Sequence, residues 1–294
     1  MSFDITPRDT IVPTSEKAAG SLLSRLSLKG KTAIITGAGA GIGLTVAHAY
    51  AEFGANIALW YLKNTETPER AKEIESTYGV KCIALKVDIR DAAQVEAATD
   101  ESVKALNGRL DIFVANAGIP WTRGEILTAD NPLGMYHDVM KTNVDGVFFS
   151  AMAASRHWKR QKHENTDING QPLKPAFKLG SFVATASMSG HIVNIPQRQT
   201  VYNASKANVI HLVRSLAVEW SGYARANTVS PGYMLTEISN FVPQETHDLW
   251  QSKTPQGREG EPHELQGAYL YLATDAATYT TGSDLVVDGG YCLP

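Results

Sequence analysis

Short apolar runs alternate along the chain with longer stretches whose apolar residues recur at helical spacing. Residues 31–36, 55–60, 81–88, 110–115, 180–186, 224–229 and 284–287 each read as a buried strand. Between them, residues 44–53, 66–78, 92–106, 136–160, 202–220 and 264–273 carry the three-and-four spacing of amphipathic helices. Strand and helix alternate with mostly short connections, and no linker divides residues 28–294. That order predicts a single α/β domain, a doubly wound parallel sheet with helices on both faces. Three stretches fall outside the pattern. Residues 1–27 are polar, contain Pro7 and Pro13 and read as an extension, mobile or draped over the body. Residues 161–179 read as a long surface loop, and residues 233–260 as a less regular segment able to close over a site as a lid.

In such a sheet, ligands bind outside the carboxyl ends of the strands. The first strand breaks there into Gly37-Ala38-Gly39-Ala40-Gly41-Ile42-Gly43, which lets backbone approach a pyrophosphate at a helix N-terminus; a tight turn with close helix packing is the plainer reading. The second strand ends in Tyr61-Leu62-Lys63-Asn64. No carboxylate stands there to bind a ribose 2′-hydroxyl, and a lysine and an amide suit a 2′-phosphate, favouring NADP over NAD. Asp88 ends the third strand, as an adenine contact or as a cap of the following helix. Asn116-Ala117-Gly118 after the fourth strand is small enough to let backbone pack against a cofactor. Asn143, inside an apolar helix, is either a structural bridge or a site group. Ser187 emerges where the fifth strand becomes loop, and Pro231-Gly232 follows the sixth.

Tyr202 and Lys206, four residues apart, share one face of a helix. A cation beside a phenol favours the phenolate and lowers a pKa that is ordinarily about 10, making a proton-transfer group for an alcohol or carbonyl oxygen. Composition narrows the partner. A formal net charge of −3 gives no electrostatic case for nucleic acid or an anionic membrane, so the partner is a small molecule. Two cysteines, Cys82 and Cys292, exclude a disulfide framework and a cysteine-rich metal site and fit a reducing compartment. No apolar run approaches the roughly 20 residues of a membrane span, and the first 25 residues lack the apolar core of a secretory signal. The expectation is a cytoplasmic protein.

Taken together, residues 36–43, Asp88, Asn116-Ala117-Gly118, Asn143, Ser187, Tyr202-x-x-x-Lys206, Pro231-Gly232 with Thr236, and Asp288-Gly289-Gly290 strongly resemble the short-chain dehydrogenase/reductase family. The resemblance covers about residues 28–294 and implies a Rossmann-type fold. It implies a catalytic tetrad in which Tyr202 is the acid–base, Lys206 lowers its pKa and holds the nicotinamide ribose, Ser187 binds the substrate oxygen, and Asn143 holds a water in a proton relay. It further implies that Gly37, Gly41, Ile42 and Gly43 cradle the pyrophosphate, that Asp88, Asn116 and Gly118 flank the adenosine side, and that Pro231, Gly232, Met234 and Thr236 fix the carboxamide end. The family's usual serine-to-tyrosine spacing points to Ser189, whereas its Ser-x-x-Gly register points to Ser187; Ser187 is taken here because the following loop absorbs the difference. Residues 184–191, the Trp60-Tyr61 strand tip and the ending after Asp288 are most similar to the fungal-type NADP-dependent polyol and ketose enzymes: mannitol 2-dehydrogenases, sorbose reductases and xylulose reductases. That implies NADP(H)-dependent interconversion of a ketose and its polyol, and a homotetramer. Trp121, His191, Asn194, Tyr233 and Trp250 are the candidates to line a sugar pocket, with ordinary loop packing as the alternative. Two other readings stay open: a reductase of a ketoacyl, steroid or xenobiotic carbonyl, and a non-catalytic dinucleotide-binding scaffold.

Overall fold

A computed structural model describes residues 21–236 and 242–293. Seven parallel strands form one sheet in the order β3-β2-β1-β4-β5-β6-β7. They are β1 (Thr32–Thr36), β2 (Asn56–Tyr61), β3 (Cys82–Lys86), β4 (Ile112–Ala115), β5 (Gly180–Thr185), β6 (Ala224–Pro231) and β7 (Asp284–Val287). The chain reverses its direction of travel across the sheet between β1 and β4, and this switch point opens a crevice at the carboxyl ends.

Alternation along each strand builds two cores. Ile34, Phe113 and Phe182 face α4 (Ala92–Leu106), α6 (Gly146–Glu164) and α7 (Thr200–Glu219). Ile35, Val114 and Val183 face α2 (Gly41–Glu52), α3 (Thr67–Tyr78) and α9 (Gln266–Ala273). On the first face the aromatic rings run in series: Trp60 meets Phe113 edge-on at 5.5 Å, Phe113 stacks on Phe182 at 6.0 Å, and Phe182 meets Trp220 at 5.6 Å. Burying each such ring contributes roughly 1.5–3 kcal/mol. Gly180 is glycine for a reason, since a Cβ there would lie 2.2 Å from the Trp158 ring.

Four elements differ from the sequence expectation. Part of the extension is ordered: α1 (Leu22–Leu26) is capped by the Ser21 side chain, and Lys31 beyond it pairs with Asp275 at 2.7 Å. Residues 1–20 lie outside the described residues. The helix expected over 136–160 starts earlier, as α5 (Pro132–Met140) capped by Asn131, widens into a π-helical turn over Lys141–Asp145, and continues as α6 to Glu164. The 161–179 stretch is not merely surface, because Leu173 and Phe177 are buried in the first core and the Asn165 side chain accepts from the Phe177 amide. The irregular 233–260 segment contains α8 (Gln244–Lys253); residues 237–241 within it lie outside the described residues.

Candidate active site

The carboxyl ends of the strands surround one cleft of about 690 Å³. On its β1–β3 side the floor is the glycine turn, with Tyr61, Lys63 and Asp88 at the strand tips. Gly37 has φ +65°, and a Cβ there would meet Ala117 Cα at 2.9 Å; one on Gly43 would meet the Gly37 carbonyl at 2.5 Å and Asn116 Nδ2 at 2.6 Å. Only glycine lets turn, helix and the Asn116 loop close on one another. The helix that follows, α2, has no side-chain cap, and Gly41 and Ile42 at its start line the cleft, so its first amides are left for an anion. This cradle fits a dinucleotide pyrophosphate.

Several predicted cofactor residues act from behind this wall. Asn116 donates Nδ2 to the Thr36 carbonyl at 3.0 Å and accepts from Thr185 Oγ1 at 3.1 Å, tying β1, β4 and β5 together. Asn64 donates to the Gly39 carbonyl at 3.0 Å and accepts from the Glu66 amide, so its side chain braces the glycine turn. That corrects the pairing of Lys63 and Asn64 as phosphate ligands: of the two, Lys63 lines the cleft, as does Tyr61. Asp88 lines it too, but its carboxylate is gripped by Arg90, with Nη2 at 2.6 Å, which holds the acid below its ordinary pKa. Arg90 was missed because it lies two residues past a strand end, where the sequence reads as a helix approach.

The other side of the cleft carries side chains. Ser187 lies just past the end of β5, accepts from the Ser189 amide at 3.1 Å, and lines the same cleft as the Tyr202 phenol, whose pKa it lowers. Ser189 also lines the cleft. Lys206 is buried, its Nζ 5.6 Å from the centre of the Tyr202 ring and 2.7 Å from the Thr185 carbonyl that accepts its hydrogen bond. Burial pulls the lysine down to about 8. Burial pushes the Tyr202 phenol up, with the Ser187 hydroxyl opposing it, a direction opposite to the acidification the helix spacing predicts. The ammonium is directed at the Thr185 carbonyl and sits over the ring rather than at the hydroxyl.

Asn143 forms a structural bridge. Only 1% exposed in the π-helical turn, it accepts from the Ile119 amide at 2.8 Å and donates to the Ile119 carbonyl at 3.0 Å and to Ser205 Oγ at 3.1 Å. A Cβ on Gly118 would lie 3.2 Å from its Oδ1 and 3.5 Å from Lys206 Nζ, so the small residue lets these two groups approach. Pro231, Gly232, Met234 and Thr236 line the cleft as expected.

Of the five sugar-pocket candidates, Asn194, Tyr233 and Trp250 line the cleft and two do not. His191 turns to Asp284, its Nε2 2.6 Å from Oδ2, at the β6–β7 edge where the Thr228 and Ser230 hydroxyls hold the same carboxylate. Trp121 donates to the Gly124 carbonyl and packs with Val139 and Val201 against Tyr202. Tyr233 stacks on Trp250 at 3.9 Å, with the planes 9° apart. Beneath Trp250, His247 and Glu259 pair at 2.7 Å. Gln197 and Gln199 also line the cleft and were not singled out, since glutamines in a loop carry no pattern.

A dinucleotide cradle at the switch point of a parallel sheet, facing a serine, a tyrosine and a buried lysine, defines a nicotinamide-dependent oxidoreductase. A family model described as enoyl-(acyl carrier protein) reductase matches residues 37–292, and the chain belongs to the short-chain dehydrogenase/reductase family. It is 57% identical over 283 residues to an L-xylulose reductase of Hypocrea jecorina, covering 96% of each chain. It is 48% identical to a probable NADP-dependent mannitol dehydrogenase of Yarrowia lipolytica, covering 99% of this chain and 96% of that one. Among solved structures, the NADPH-dependent 3-quinuclidinone reductase of Rhodotorula rubra superposes with a TM-score of 0.87 at 38% identity, covering 98% of this chain and 100% of the other.

Proposed function

We propose that this chain is an NADP(H)-dependent oxidoreductase that interconverts a ketose and its polyol at the ketose C2 carbonyl. The observation that carries the reading is the Ser187–Tyr202 pair beside the buried Lys206, opening on a cleft whose opposite wall is the glycine turn. NADPH, when bound, supplies the hydride. The protein orients the ketone and moves the proton. Ser187 donates a hydrogen bond to the carbonyl oxygen, and Tyr202, protonated at neutral pH, gives its proton to the alkoxide that develops there. Lys206 presents a cation near that oxygen and the nicotinamide ribose, while Asn143 fixes the Gly118–Ile119 backbone beside it. The glycine turn and the uncapped start of α2 would hold the pyrophosphate, and Lys63 the 2′-phosphate, which favours NADP over NAD. In the oxidation direction Tyr202 must first lose its proton, so polyol oxidation gains as pH rises while ketose reduction declines.

The relatives with polyol and ketose names, at 57% and 48% identity, support the sugar reading. The stacked Tyr233–Trp250 wall and the quinuclidinone reductase likeness favour a second one, an apolar cyclic ketone. We further assign the protein to the cytoplasm and to a homotetramer. Among the described residues, Cys82 and Cys292 are free and no helix is long and apolar enough to cross a membrane; Phe148 and Met152 on α6 leave apolar surface exposed for a second copy. The test is turnover of five- and six-carbon 2-ketoses and of 3-quinuclidinone with NADPH and with NADH, for the wild type and Tyr202→Phe. Ketose reduction with NADPH is expected, and the phenylalanine variant is expected to lose about 10²–10⁴ in kcat while still binding cofactor. Absence of turnover with every ketose overturns the reading.

A further inference from the structure

Two buried polar atoms of cleft-lining residues, Asn194 Oδ1 and Trp250 Nε1, have no hydrogen-bond partner, and the first is an acceptor. Asn194 lies between the Ser187 and Tyr202 segments, is 4% exposed, and donates Nδ2 to Tyr233 Oη at 3.0 Å. Its Oδ1 is buried with no hydrogen bond. Buried side-chain carbonyls are nearly always satisfied, so an open acceptor here points to a donor that arrives with a ligand. Which end of the amide is open follows from the tyrosine. Tyr233 is clamped flat on Trp250 and meets the Tyr291 ring edge-on at 5.2 Å. The phenol so held accepts the Asn194 Nδ2 proton at 3.0 Å. The amide nitrogen is therefore used and the carbonyl oxygen remains.

We propose that Asn194 Oδ1 is a specificity-determining acceptor for a substrate hydroxyl, making this a site for hydroxylated ketones rather than plain ones, and that Tyr233, held flat on Trp250, is the positioning residue that sets the amide's orientation. A hydroxyl supplies the missing donor. A plain ketone enters without it and leaves the acceptor unpaired. The inference deepens the ketose reading above and rests on it.

The experiment compares reduction of L-xylulose, its 1-deoxy and 3-deoxy analogues and 2-pentanone by the wild type, Asn194→Leu and Tyr233→Phe, reading kcat and KM separately. Asn194→Leu is expected to lower the xylulose-to-pentanone ratio of kcat/KM by about tenfold or more, the effect of one hydrogen bond, chiefly through KM. One deoxy analogue should reproduce the loss on the wild type and identify the hydroxyl. Tyr233→Phe keeps the ring on Trp250 but removes the oxygen that holds Nδ2, freeing the amide to turn, and should shift the same ratio in the same direction by a smaller factor. A Tyr233 that serves packing alone would leave the ratio unchanged in this variant. If the wild type reduces ketoses and both variants keep its ratio, the inference fails and the ketose reading stands. If the wild type reduces 2-pentanone but no ketose, the ketose reading fails and removes the inference with it.

Discussion

The two walls of the cleft are built in opposite ways. On the glycine side, polar side chains are spent on the protein itself: Asn64 braces Gly39, Asn116 ties three strands, and Arg90 grips Asp88. What faces the ligand there is mostly backbone held in a fixed shape. On the serine side, aromatic rings clamp one another while polar atoms of cleft-lining residues, Asn194 Oδ1 and Trp250 Nε1, stay unpaired. On the first wall the groups left open are backbone amides at the uncapped start of α2, fixed in place by the turn. On the second they are side-chain atoms. A cofactor suits a cradle of fixed backbone, whereas a substrate that differs between related enzymes suits side chains that can be exchanged.

Substitutions test this contrast. The largest effect is expected from Gly43→Ala, because its Cβ would fall 2.5 Å from the Gly37 carbonyl and force the turn open. Cofactor affinity measured by fluorescence titration should drop by about a hundredfold, the scale of a roughly 1 Å misplacement. Unchanged affinity would mean that the cradle is not preformed. A matched pair of asparagines sharpens the comparison. Asn116→Leu removes the donor to the Thr36 carbonyl, while the Thr185 hydroxyl keeps the Tyr269 phenol, and should cost about 1–3 kcal/mol in denaturant unfolding. Asn194→Leu removes an acceptor that has no partner, and its cost should be the smaller; equal losses would erase the distinction between the walls. The smallest effect concerns Lys206. Its folded pKa, lowered to about 8, means that the folded protein binds fewer protons than the unfolded chain between about pH 8 and the ordinary lysine value of about 10.4. The charged lysine thus costs stability, in full below pH 8, and stability rises with pH through that window. Between pH 7 and pH 9 the wild type should gain on the order of 1 kcal/mol relative to Lys206→Met.

What the sequence revealed and what it hid divide along the same physical line. The seven strands, the glycine turn and the Ser187, Tyr202 and Lys206 positions were legible because each is a local pattern. The roles of Asn64 and Asn116 were hidden because their partners lie 25 and 80 residues away, so a residue correctly singled out was given a ligand in place of a brace. His191 misled for the same reason: it sits near Ser187 in sequence, but Asp284, 93 residues on, holds it. Proximity on a helix also suggested that Lys206 would acidify Tyr202, and nothing in the spacing told that the ammonium would find the Thr185 carbonyl. The Tyr233–Trp250 stack brings together a strand end and a helix inside a stretch that carried no period.

The π-helical turn over Lys141–Asp145 has a consequence at the far end of its helix. Deleting one residue there to restore a regular α-helix would rotate all that follows by about 100°. Val147, Ala151, Ala154 and Trp158, one buried stripe of α6, would swing off the sheet. The extra residue is therefore locked in by the hydrophobic stripe downstream, and an ancestor that acquired it could not shed it without rebuilding half the core.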